Sequence, residues 1–281
     1  MALTKVTGGL LGNLPTGTHN VAVGDTALDS IASGAQYNVA IGSAAGTALT
    51  TGVRNTLVGG FSGDALTDAD FNTAMGYVSL GADTLGSKST AIGWATLATQ
   101  NFTSATDSFN TAVGYGAGAA VTTGIQNTLI GALAGDSLTD ADKNVAVGYN
   151  ALSTDTLGSR STAVGVSALA TQNFTSATSA YNVAVGHNAG ASITTGVQNT
   201  LIGGTTGDAL TTGSSNTAIG ISALTRDTAG SKSVAIGTTA LAYQNFTSAT
   251  DSYNTAVGHA AGLSVTTGVQ NTLIGGLAGD A

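Results

Sequence analysis

The sequence predicts an all-β fold, a parallel β-roll or β-solenoid of about 15 rungs, on three observations. First, the pentad NTAVG at Asn110–Gly114 returns along the whole chain with small changes, from NVAVG at Asn20 and NVAIG at Asn38 to NTLIG at Asn271, fifteen times in all. Second, the returns are evenly spaced: starts at 38, 55, 72 and 89 are 17 residues apart, 21 more lead to 110, and the cycle recurs at 182 and 254. Third, 41 glycines with only 5% aromatic and 8% charged residues leave too few large side chains for a thick core. Self-similarity at this period marks units that bury apolar surface by stacking on their neighbours. Every acidic residue is Asp and none is Glu, as in a chain built of turns and strands without helices.

The chain divides on paper into a cap or attachment segment, residues 1–19, and a repeat domain, residues 20–281. The first segment holds Leu10, Leu11, Leu14 and Pro15, an apolar cluster suited to covering an open strand edge. The repeats form a 72-residue block of four rung types. The first carries AG then TTG, as from Ala117; the second has a GDxLT turn, at Asp64 and Asp136. The third has DTLGS or DTAGS near Asp83, Asp155 and Asp227, and the fourth a longer QNFTSAT loop from Gln100, Gln172 and Gln244.

Within each pentad the second and fourth residues share one strand face and the third points the other way. The fourth is β-branched or Met, and the third is always Ala or Leu. A strand apolar on both faces is buried on both. With the second and fourth residues assigned to the inside of the coil, the third-position column needs a cover, and a second copy of the chain is the simplest one. The sequence therefore predicts a homotrimer with an interface at Ala40, Leu57, Ala74, Ala91, Ala112, Leu129, Ala146, Ala163, Ala184 and Leu201. The closing Gly (Gly24, Gly42, Gly59, Gly114) suits a corner with positive φ or a close backbone approach. Three residues on, a small residue (Ala27, Ser62, Thr96, Ala117) reads as a packed second short strand, and the leading Asn residues as a hydrogen-bonded ladder.

The pentads NVAIG (Asn38), STAIG (Ser89) and SVAIG (Ser233), each followed by two variable residues and a small one, resemble the head repeat of YadA-like trimeric autotransporter adhesins. The resemblance spans residues 20 to 281 and implies a left-handed parallel β-roll that trimerises. The repeat of 17 or 21 residues is longer than that family's, so the turns must be longer. The opening MALTKVTGGLL resembles the start of bacteriophage tail-fibre and related virion proteins, which implies a fibre of a phage particle.

Little points to chemistry. His19, His187 and His259 lie too far apart along the repeats to share a pocket with a nucleophile. Asp64, Asp68 and Asp70, echoed at Asp136, Asp140 and Asp142, could be offered to Ca²⁺, but turn roles explain them and the third copy has Thr212 and Ser214 at two of the positions. GYGAG at Gly114 has no helix after it to cradle a phosphate. The NFT sequons at Asn101, Asn173 and Asn245 bear on function only in a glycosylating secretory route. A Thr array for ice is interrupted by Val21, Val39, Val145, Val183 and Val234. The expectation is no catalytic site, no metal and no cofactor. The net charge of −8, spread along the chain, argues against nucleic acid. No run approaches the roughly 20 apolar residues of a membrane span, and MALTKVTGGLLGNLP lacks the apolar core of a secretion signal.

Two sets of aromatic residues remain as candidate recognition residues. Trp94, Tyr115, His187 and His259 follow the pentad Gly, and Phe102, Phe174 and Phe246 ride the QNFTSAT loops. Loops on a rigid scaffold often carry recognition. The function expected is a structural fibre segment of a phage tail fibre or other virion appendage, a trimer that supports or mediates attachment through a host-surface glycan or protein. The alternatives are the head of a bacterial surface adhesin, or a self-assembling extracellular filament subunit.

Overall fold

The structure is a computed structural model that describes residues 19–280. Apart from His19, the expected cap therefore lies outside the described residues. The chain divides into two compact units, Met1–Asp140 and Ala141–Ala281.

Each unit is a parallel β-solenoid. In the first, strands Val21–Val23, Val39–Ile41, Thr56–Val58, Thr73–Met75, Thr90–Ile92, Thr111–Val113 and Thr128–Ile130 pair in sequence order, pentad on pentad. In the second, Val145–Val147, Thr162–Val164, Val183–Val185, Thr200–Ile202, Thr217–Ile219, Val234–Ile236, Thr255–Val257 and Thr272–Ile274 do the same. The register follows the sequence spacing, Val39 opposite Thr56 and Thr90 opposite Thr111. Among the described residues there is no helix, hence none long and apolar enough to cross a membrane. Where the fourth rung type is four residues longer, the excess forms a second small ladder, Thr106–Asp107 on Gly86–Ser87 in the first unit.

The pentads face the opposite way from the sequence expectation. Ala40, Leu57, Ala74, Ala91, Ala112, Leu129, Ala146, Ala163, Ala184 and Leu201 are all 0% exposed within the single chain. They form the core of the coil itself, so no partner can reach them and they are not a trimer interface. The second and fourth residues point outward. The alternation was correct, but alternation alone does not say which face is inside. Lumen width decides that, because turns this short close around Ala or a single Leu while Val and Ile fit the open outer face.

The lumen is filled by volume exchange. Most rungs with Ala at the third position carry Leu six residues later, as with Ala74 and Leu80, whereas Leu57 is followed by Gly63 and the first rung type has Ala and Gly. Ala40 and Gly46 are both small, and a Cβ on Gly46 would stand 2.7 Å from Leu57 Cδ1 and 3.0 Å from Leu28 Cδ2, so the leucines of the two adjoining rungs fill that space.

The pentad glycines behave as expected. Gly76 has φ +142, and a Cβ there would lie 2.1 Å from the carbonyl oxygen of Gly93 on the next rung. The small residue beyond is buried but sits in a turn, not a second strand: Ser62 lies between Phe61 and Gly63, both in the left-handed region. Even there the rungs stay bonded, with Gly63 N–H donating to Ser79 O at 2.9 Å.

The leading Asn residues form the expected ladder inside the coil. Asn55 N–H donates to Asn38 Oδ1 and Asn72 N–H to Asn55 Oδ1, each at 2.9 Å, while Asn72 Nδ2 donates to Gly86 O at 2.9 Å. Buried main-chain groups are thereby satisfied where strand pairing ends.

Candidate recognition surface

Two polar features survive inside the coil, and one surface is organised outside it. Inside, the third and fourth rung types replace the apolar filler seen at Leu49 and Leu66 with Asp83 and Gln100, both fully buried. Asp83 Oδ1 accepts from Gly86 N–H (3.0 Å) and Phe102 N–H (3.1 Å), and Oδ2 accepts from Gln100 Nε2 (2.6 Å). Gln100 Nε2 also donates to Ser89 Oγ, and its Oε1 accepts from Asn110 Nδ2. Asp155 with Gln172 and Asp227 with Gln244 repeat the arrangement. Desolvation raises the carboxyl pKa of Asp83 and Asp155 above the ordinary value, against the opposing hydrogen bonds from Gln100 and Gln172 and from backbone N–H groups. The network is enclosed and offers no access to a substrate.

That network also corrects the placement of Phe102, Phe174 and Phe246. They do not ride exposed loops; they are only 5, 6 and 6% exposed. The Phe102 N–H is tied to the buried Asp83, and its ring lies over Gly86, where a Cβ would come within 2.7 Å of Cδ2. Asn101, Thr103, Ser104 and Ala105 are what the loop exposes. From sequence, the buried partner Asp83 could not be seen, and an aromatic residue in a long loop looked free.

Outside, Trp94 and Tyr115 are exposed at 49 and 56%, on adjacent rungs, with ring centroids 4.8 Å apart and planes 10° from parallel. Phe61 and Tyr77 meet edge to face on the same side. His187 and His259 occupy the equivalent register in the second unit and are exposed, but make no ring stack among the described residues. Asp70 Oδ1 accepts from Val53 N–H and Asp68 Oδ1 from Thr51 Oγ1, turn roles that fasten one rung to the next. Among the described residues no group of three His, Cys, Asp or Glu side chains is placed to hold a metal ion.

A second outer column was missed in the sequence. The residue before each pentad is left-handed: Tyr37, Arg54, Phe71, Lys88 and Phe109 have φ between 51 and 62. Its side chain swings out at the corner as the following Asn turns in. Five of the seven Lys and Arg residues stand at this register: Arg54, Lys88, Lys143, Arg160 and Lys232. Rings fill much of the rest, and cations stack on them: Arg54 over Tyr37 (5.7 Å) and Phe71 (5.3 Å), Lys88 over Phe109 (5.2 Å), Arg160 over Tyr181 (5.7 Å) and Lys232 over Tyr253 (5.1 Å). At the column's start His19 stacks on Tyr37. The signal that could have revealed it was charge sorted by register instead of by position along the chain.

These features define a parallel β-solenoid with a sealed interior and an ordered outer surface on which strand rows run between two ring-bearing columns. No family model matches the chain, and neither a curated protein nor a solved structure matches it.

Proposed function

We propose that the chain is a structural, non-enzymatic fibre segment of a virion appendage such as a phage tail fibre, assembled as a homotrimer and supporting attachment to a host surface. The observation that carries this reading is the outward strand face. Ile41, Met75 and Ile130 in the first unit and Ile202 in the second are exposed large apolar residues, flanked by half-buried Thr and Val. Regular apolar rows of this kind on a soluble surface mark a site of association. The self-contact is thus moved from the Ala and Leu column to the fourth-position column. The repeat pentads and the phage-like opening support the fibre assignment. The pentads equally favour a second reading, the head of a bacterial surface adhesin.

Sedimentation equilibrium tests the assembly: three times the 27.1 kDa chain mass is expected, falling toward the single-chain mass in Ile41→Asp with Met75→Asp. A single-chain mass for the parent protein at micromolar concentration overturns it. Binding of the fluorescent chain to host cells tests attachment.

A further inference from the structure

The basic register carries more than packing. The chain has a net charge of −8, yet none of its fifteen acidic residues falls in the column that holds five of its seven cations. In the first unit five consecutive rungs read Tyr37, Arg54, Phe71, Lys88, Phe109, ring and cation alternating, all exposed. Lys88 is partly neutralised by Asp107 at 2.5 Å. Arg54 makes no ion pair among the described residues. Its guanidinium lies over two ring faces, which occupies its face and leaves the in-plane N–H fork for a carboxylate. The ring edges beside it carry the positive side of the aromatic quadrupole.

We propose that this column, centred on Arg54, binds an acidic polysaccharide with a carboxylate on about every second sugar. The inference rests on the attachment reading and names the chemistry of the receptor. Arg54 and Lys88 stand two rungs apart, about 9.6 Å at the usual strand spacing, which matches the length of a disaccharide in an extended sugar chain. A nucleic-acid duplex is a poorer fit, because each strand carries a phosphate about every 3.4 Å, far denser than these cations. In the second unit Arg160 repeats the feature, stacked on Tyr181 and bonded to Ser179, which stands where Asp107 does in the first.

The test uses the full chain and three immobilised probes: hyaluronan, neutral dextran and single-stranded oligo(dT). Binding to hyaluronan that weakens with added salt is expected, with none to dextran and at least tenfold less to oligo(dT). Arg54→Gln is expected to lower hyaluronan affinity tenfold or more with an unchanged circular dichroism spectrum. Arg226→Gln, which removes an Arg stacked on Tyr243 at another register, should leave it unaltered. No binding to hyaluronan, equal binding to dextran or oligo(dT), or equal loss in both Arg variants overturns the proposal. Host-cell binding that survives Arg54→Gln and hyaluronan competition leaves the attachment reading standing and removes this one. Arg54-dependent hyaluronan binding without any host-cell binding does the reverse.

Discussion

Leu57 and Gly63 share one space in the lumen: a Cβ on Gly63 would stand 2.8 Å from Leu57 Cδ2. The rung that places a large side chain at the third strand position has none six residues on, and its neighbour, with Ala74 and Leu80, reverses the choice. Leu80 is itself left-handed at φ 54, so the backbone of the Gly63 corner accepts Leu elsewhere in the same chain.

Leu57→Ala is accordingly expected to cost about 2–5 kcal/mol as a buried cavity, and Gly63→Leu about 1–3 kcal/mol by overpacking. The double variant exchanges the two volumes. Thermal unfolding should place its Tm above that of either single variant, a favourable coupling in the double-mutant cycle; simple additivity would show that the two sites do not share a space.

Gly76→Ala should be worse than its size suggests. The added carbon meets the backbone carbonyl of Gly93, not a movable side chain, at a φ that L residues rarely adopt. A loss of about 2 kcal/mol or more is expected. Gly34→Ala, at φ +110 but with open space around it, separates the two causes, since it carries the dihedral strain without the clash. Denaturant melts of the pair should rank Gly76→Ala as clearly the more damaging.

Removing one member of the Asn ladder strands two backbone groups. Asn72→Ala takes the acceptor from Ser89 N–H and the donor from Gly86 O, both well inside the coil. Each unsatisfied group costs about 1–3 kcal/mol. Asn72→Asp keeps the acceptor, loses the donor and adds a buried charge, so chemical denaturation at pH 7 should find it at least as unstable as the Ala variant.

The buried carboxyls set a pH dependence. Because burial raises the pKa of Asp83 and Asp155 in the folded chain, that chain holds these protons to higher pH than the unfolded one. Their stabilising contribution is complete below the unfolded carboxyl value of about 3.9 and is lost as pH rises through the raised folded value. Tm should therefore fall as pH rises above about 4, and the Asp83→Asn, Asp155→Asn double variant should show a shallower slope. An identical slope would mean that these two groups do not titrate differently on folding.

Much of this architecture was open to reading from the residues alone. The spacing of Asn38, Asn55 and Asn72 gave the strand register that pairs Val39 with Thr56 and Thr56 with Thr73. Gly76 and its equivalents announced the tight corners, and the Asn column its ladder. Less was legible at the surface: Trp94 and Tyr115 are exposed as expected, Phe102 is not, and the Arg54 column went unseen.

What the sequence determined by itself was periodicity, because rungs that must stack repeat their chemistry at the interval of one turn. Only the tertiary structure decided inside from outside. A two-residue alternation is symmetric between the faces of a strand, and that symmetry is broken by how closely the turns draw the chain around Ala40 and Leu57. The same enclosure drew Phe102 onto Gly86 and Asp83, and turned Arg54 and its rings to the outside.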